Sequence, residues 1–202
     1  MINLKISKIT ILFFFTLILF VSCKPKTAKL SESTHIVHVS LSTTMGEVLL
    51  ELYPDKAPVS VNNFIDYVKS AFYTGCIFHR VIDGFMIQGG GYDTNLNEKE
   101  TNPAIVNEAK NGLGNVRGTI AYARTNVINS ATSQFFINLM NNNRLDYKGE
   151  SQTAYGYSVF GKVIQGMEVV DAIGKVKTGS KNRMNDVPIN PIVILSASIQ
   201  GK

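Results

Sequence analysis

The sequence predicts a mainly β domain with two helices, for which a closed antiparallel barrel is the expected arrangement though periodicity alone establishes only a β-rich domain, and three observations lead there. Short apolar runs with strand character recur from about residue 36 to residue 199. Only two segments carry apolar residues at helical spacing. At 202 residues, with no internal repeat and no linker after residue 35, the chain has room for one ordinary domain plus a short extension. Many short strands in one domain leave vulnerable edges unless the sheet closes on itself, which is the reason for expecting a barrel.

The elements follow in order. Ile36 to Thr43 alternates Val37, Val39 and Leu41 against polar neighbours, the period of a half-buried strand. Thr44-Met45-Gly46-Glu47 reads as a hairpin turn, with Val48 to Tyr53 as the returning strand. Pro54 and Pro58 punctuate the chain, and Pro58 suits the first turn of a helix. Val61, Phe64, Ile65 and Val68 then predict a helix from about Val59 to Ser70. Strand-like runs follow at Ile77 to Ile82, Met86 to Gly89, Thr119 to Ala123, Gln134 to Leu139, Val159 to Val163 and Ile192 to Ile199. Between the last two, Met167, Val170 and Ile173 share one face of a short helix over Gln165 to Ile173, with Gly174 as its stop.

The first thirty or so residues read as an address. Lys5 and Lys8 precede the apolar run Ile9 to Val21, whose length suits a signal-peptide core and falls short of the about 20 residues a spanning helix needs. A buried helix of the fold would have to enclose this Phe, Ile and Leu on all sides. The run ends in Phe20-Val21-Ser22-Cys23, which resembles a bacterial lipobox with Phe20 where leucine is commoner. The other reading is an ordinary signal peptide with an incidental cysteine. The expected division is therefore a signal peptide over 1–22, a flexible tether over 23–34 lipidated at Cys23, and a folded domain over 35–202. The location expected is the cell envelope, anchored outside the cytoplasm and facing the periplasm.

Composition excludes several classes. Hydrophobic residues at 45% and charged residues at 17% fit a globular chain. The formal +5 falls to +3 once Lys5 and Lys8 leave with the signal peptide, and the remaining basic residues are scattered, so no nucleic-acid partner is predicted. With Cys23 lipidated, Cys76 is a lone thiol in an apolar setting and reads as a core residue. His35-x-x-His38 with Cys76-x-x-His79 has zinc-like spacing, but the first pair lies where tether meets strand. Gly112-x-Gly114-x-x-x-Gly118 misses the dinucleotide spacing, and Gly156-x-Ser158-x-x-Gly161 misses the nucleophile elbow. No metal or nucleotide cofactor is predicted, and a monomer is expected.

Several motifs then fall in one order. They are Phe78 to Gly90 (FHRVIDGFMIQGG), Gly118 to Arg124 (GTIAYAR), Ser130 to Ile137 (SATSQFFI), Leu145-Asp146, and Tyr157 to Val163 (YSVFGKV). From about His35 to Ile199 the chain resembles the bacterial-type cyclophilins, peptidyl-prolyl cis-trans isomerases acting on proline-containing polypeptides. The resemblance implies an eight-stranded antiparallel barrel capped by two helices, with the active groove on its outer surface. Position by position, it makes Arg80 the catalytic arginine and Phe85, Met86, Phe136 and Leu145 the wall of a proline pocket. Gln88 and Gln134 match polar groups of the groove, and Ala123 and Arg124 its backbone-binding side. Tyr157 falls where many eukaryotic members have histidine. Arg144 falls where a tryptophan tied to cyclosporin binding often sits, and Asp83 replaces a common proline.

These residue types suit the reaction. Rotation about a peptide bond faces a barrier of about 18–20 kcal/mol, while cis and trans X–Pro differ little. A catalyst needs no nucleophile or metal; it must bind the twisted amide better than either planar form. An arginine offers a fixed fork of donors to the carbonyl and the prolyl nitrogen, and an apolar pocket holds the ring while the other side turns. An acceleration of about 10⁵ requires about 7 kcal/mol of such preference. His79, beside Arg80, points to the opposite face by alternation and reads as structural. The alternative function on this fold is a non-catalytic holdase module that binds proline-containing or unfolded segments.

Overall fold

The computed structural model describes residues 36–201. The expected signal peptide, Cys23, the tether and His35 lie outside the described residues.

Eight strands form one antiparallel sheet: β1 (Val37–Thr43), β2 (Gly46–Leu52), β3 (Phe78–Ile82), β4 (Met86–Gly89), β5 (Thr119–Tyr122), β6 (Phe135–Asn138), β7 (Val159–Gln165) and β10 (Ile194–Gln200). Each matches one of the runs read from the sequence. Their order across the sheet is β10-β1-β2-β7-β5-β6-β4-β3. The sheet carries two helices, α1 (Pro58–Lys69) and α2 (Met167–Gly174). A separate hairpin, β8 (Thr178–Lys181) with β9 (Met184–Pro188), was not foreseen.

The expectation of a closed barrel is corrected. The sheet is an open, curled half-barrel with β3 and β10 as its edges. The two edges meet only where their strands begin, at the Ile77–Val193 bridge, with Phe78 N–H donating to Ile192 O at 3.0 Å and Ile194 N–H to Cys76 O at 2.8 Å. From there β10 follows β1 out to Gln200 while β3 follows β4, so no ladder joins them. The exposed flank of β3 is covered instead by β9, a second way of managing an edge.

The main core lies on one face of this sheet. Val61, Phe64, Tyr67 and Val68 of α1 are buried there against Phe135, Phe160 and Tyr73, with Phe64 and Phe135 edge to face at 5.6 Å. Cys76 is buried in the same cluster, as its apolar setting predicted. Helix α1 starts at Pro58 without a side-chain cap of its own. Glu108 supplies one from a distance, accepting from Val59 N–H at 3.0 Å and Ser60 N–H at 2.8 Å. Helix α2 begins at Met167, two residues later than expected. Gln165 still belongs to β7, and Gly166 (φ +83°) makes the turn, where any Cβ would strike the Glu47 carbonyl.

Candidate functional site

Strand alternation builds a second, smaller apolar cluster on the sheet's other face. Val81, Ile87, Ile137, Ile120 and Phe160 point into the main core. Their neighbours one step along point away, and Met86, Phe136, Ala121 and Val159 pack together outside it. Register puts a row across the strands: Arg80 opposite Gln88, Gln88 opposite Phe136, Phe136 opposite Ala121, and Ala121 opposite Val159. A strand-borne arginine and glutamine thus run straight into an apolar floor.

Loops raise the walls. Phe85 follows the Asp83-Gly84 turn and is pinned through its carbonyl, which accepts from Leu139 N–H and from Asn142 Nδ2, each at 2.9 Å. Leu145 ends a 3₁₀ turn over Asn143–Leu145, and its carbonyl accepts from Tyr157 N–H at 3.0 Å. Gly156 (φ +75°) makes that approach possible, because a Cβ there would lie 2.7 Å from the Leu145 carbonyl. The Tyr157 ring meets Phe136 edge to face at 5.7 Å.

Together Arg80, Phe85, Met86, Gln88, Ala123, Arg124, Phe136, Leu145 and Tyr157 line one open cavity of about 210 Å³. Gln134, also expected in the groove, stands at its edge and accepts from Gln88 Nε2 at 2.9 Å. All of the expected groove residues are therefore brought to one place. Arg124 has a further task. Its Nε, Nη1 and Nη2 donate to the carbonyls of Gly156, Thr125 and Gln152 at 2.9 Å each, and its guanidinium lies 4.9 Å from the Tyr157 ring. It braces the Tyr157 loop, with every nitrogen committed to the protein. Arg144 lies over the Phe85 ring at 4.4 Å and adds a cation to the rim.

His79 is buried beside Tyr92, on the far side from the groove's polar row. Burial, and then the charge of Arg80, lower its pKa to about 4, so it is neutral at pH 7. His38 faces Glu51 at 3.7 Å, and no group of three or more metal-ligating side chains occurs among the described residues.

Two sets of residues escaped the sequence reading. Asn115, Asn138 and Asn142 form a buried amide chain beneath the Phe85 and Leu145 walls. Asn142 Nδ2 donates to Asn138 Oδ1 at 2.7 Å, Asn138 Nδ2 to Thr119 Oγ1 at 2.9 Å, and Asn115 Nδ2 to Leu145 O at 3.1 Å. Isolated asparagines in a polar stretch carry no periodic signal. The second is Asp186 on β9, whose Oδ2 lies 3.6 Å from Arg80 Nε.

Fold and site define a surface-groove protein on a curled antiparallel sheet, with a cation beside an apolar pocket. The family model described as cyclophilin type peptidyl-prolyl cis-trans isomerase/CLD matches residues 38–199, and the chain belongs to this family. Peptidyl-prolyl cis-trans isomerisation is its activity. Over 167 residues the chain is 54% identical to peptidyl-prolyl cis-trans isomerase A of Dickeya dadantii, covering 83% of this chain and 86% of that protein. It is 48% identical over 161 residues to peptidyl-prolyl cis-trans isomerase B of Escherichia coli, covering 80% of this chain and 98% of that one. Among solved structures, a Cryptosporidium parvum cyclophilin type isomerase superposes with a TM-score of 0.68 at 26% identity, covering 83% of this chain and 99% of its own. That protein was also solved in the presence of the dipeptide Ala-Pro, with a TM-score of 0.67 at 26% identity, covering 82% and 99%.

Proposed function

We propose that Arg80 catalyses X–Pro rotation, with the proline ring seated against Phe85, Met86, Phe136 and Leu145, and that the clients are exported or envelope proteins. The observation that carries the reading is the placement of Arg80 at the mouth of the apolar cavity. Neither of its terminal amino groups has a protein acceptor among the described residues. As the bond twists, resonance is lost, the carbonyl regains its double bond and the nitrogen lone pair localises. Donors fixed beside both atoms bind this geometry better than either planar amide. The pocket holds the ring still, so the acyl side turns. Gln88, tethered to Gln134, and the braced Tyr157 loop keep the groove in shape for the flanking chain.

The envelope location is supported by the sequence before the domain: Lys5 and Lys8, the apolar run to Val21, and Ser22-Cys23. In this reading the mature chain begins at Cys23, carries acyl chains on its thiol and holds the isomerase to a membrane facing the periplasm through residues 23–34, as a monomer.

The decisive experiment is Arg80→Ala in a protease-coupled peptide assay. Loss of at least about 2.7 kcal/mol of the about 7 kcal/mol preference predicts a rate lower by about a hundredfold or more with folding intact. An unchanged rate refutes the role of Arg80. The mass of the mature N-terminus tests the anchor, and a chain still beginning at Met1 without acyl groups refutes it.

A further inference from the structure

We propose that Asp186 is the positioning residue of the isomerase arginine, holding the inner edge of its guanidinium so that both terminal amino groups face the groove. This rests on the reading of Arg80 as the catalytic cation.

Arg80 stands on β3, an edge strand, with no sheet neighbour on its outer flank. Its side chain is 43% exposed, and among the described residues its one polar partner is Asp186. A long cationic side chain in that setting samples many rotamers unless something grips it. The carboxylate meets Nε, the nitrogen nearest the stem, at 3.6 Å. An ion pair on that nitrogen, looser than a hydrogen bond at this distance, biases the orientation of the guanidinium and leaves Nη1 and Nη2 for the substrate amide. A carboxylate on either terminal nitrogen would compete with the carbonyl of the bound bond.

The hairpin's local structure puts Asp186 there. Asn182 (φ +49°) and Arg183 (φ +64°) form a two-residue turn with both central residues left-handed, the geometry that matches strand twist. Lys181 pairs with Met184, but Gly179 pairs with Val187, so Asn185 and Asp186 together oppose Ser180. Asp186 is the left-handed residue of this bulge, at φ +62°. A bulge re-aims a side chain out of strand alternation. The next residue, Val187, is buried against Ile77 and Leu96, and anchors the hairpin beside the root of β3. Glycine is the residue a left-handed bulge position favours, and aspartate tolerates it at some cost. The chain thus accepts a backbone cost where the hairpin meets Arg80, and puts a carboxylate there.

The test uses the full-length chain in detergent and compares wild type, Asp186→Gly, Asp186→Asn and each change combined with Arg80→Ala. Asp186→Gly relieves the backbone and removes the charge; its unfolding midpoint is expected to equal or exceed that of wild type while kcat/KM falls about fivefold, the scale of one exposed ion pair. Asparagine, which keeps a polar oxygen near Nε without the charge, is expected to fall in between. The deficit of Asp186→Gly shrinks in about 1 M salt, where the Debye length is about 3 Å, because salt weakens the pair in wild type. In the Arg80→Ala background neither change has a further effect, since Asp186 acts through Arg80. Activity of Asp186→Gly within about 1.5-fold of wild type at low salt overturns the proposal, as does a deficit that persists in the Arg80→Ala background. Arg80→Ala turning over as fast as wild type overturns the reading of Arg80 and this proposal with it.

Discussion

Phe135 and Phe136 are neighbours in β6 whose side chains leave opposite faces of one sheet, and they allow stability to be separated from catalysis. Phe135 is fully buried in the main core, edge to face with Phe64, Tyr73 and Phe78. Phe136 is 4% exposed, touches Tyr157 and forms part of the groove. Replacing either by leucine keeps apolar bulk, shrinks the side chain and loses ring contacts, which costs about 1–2 kcal/mol of stability in each case. Only Phe136 lines the groove, where the proposed mechanism seats the proline ring. Burying the three methylenes of a proline ring is worth about 2.4 kcal/mol at about 0.8 kcal/mol each. If Phe136 provides between a third and a half of that contact, Phe136→Leu lowers kcat/KM by about four- to eightfold. Phe135→Leu is expected to stay within about twofold. Denaturant unfolding and the peptide assay, run on the same preparations, read both quantities. Equal losses of activity in the two variants, or none in Phe136→Leu despite its lost stability, refute the assignment of the pocket.

Two further outcomes concern the scaffold. Glu108→Ala strips α1 of two accepted N–H bonds and is expected to lower stability by about 1–2 kcal/mol with kcat/KM unchanged; denaturation shows it, and a wild-type midpoint would refute the remote cap. His79, with its pKa lowered to about 4, contributes stability that is fully present above the unfolded value near 6.5. As pH falls from about 6.5 to 4 the unfolded chain takes up a proton that the fold refuses, so about 3 kcal/mol is lost across that window. His79→Leu should flatten that part of the stability–pH curve, and a slope identical to wild type over pH 6.5–4 would show that His79 does not cause it.

What was legible in the sequence follows from what carries a period. Apart from the largely exposed β10, the strands of the main sheet put apolar residues into the core, so Val39 and Leu41, or Ile120 and Phe160, announce themselves, and α1 does so through Val61, Phe64 and Val68. The hairpin β8–β9 carried no such mark. All four residues of β8 are exposed, and its turn, Asn182-Arg183, has arginine where glycine usually signals a left-handed position. The sequence overstates closure for the same reason: β9, which shelters β3, carries no pattern, so a joined edge is the expected remedy. The groove residues were legible through resemblance; the register supplied what resemblance left out, that Arg80, Gln88 and Phe136 form one row.

The placement of the groove explains why its residues look like core residues one at a time. A sheet face turned to solvent ordinarily alternates to polar side chains, whereas here Met86, Phe136, Ala121 and Val159 form a second apolar cluster away from the main core. Such a cluster is unstable as an open patch, and the chain encloses it with loops instead of a layer of secondary structure. The Phe85 turn, the Asn143–Leu145 turn and the Tyr157 loop lean over it, held by the asparagine chain below and by Arg124 above. The enclosure is left incomplete on the Arg80 side, and in the proposed mechanism a proline ring finishes it. On that proposal, substrate binding amounts to completing a small core, and Arg80 at its open end acts on the bond that the ring brings with it. On this account the asparagine chain belongs to catalysis without touching substrate: cutting Asn142 Nδ2 from Phe85 O by Asn142→Ala lets the wall relax and is expected to raise KM more than it lowers kcat.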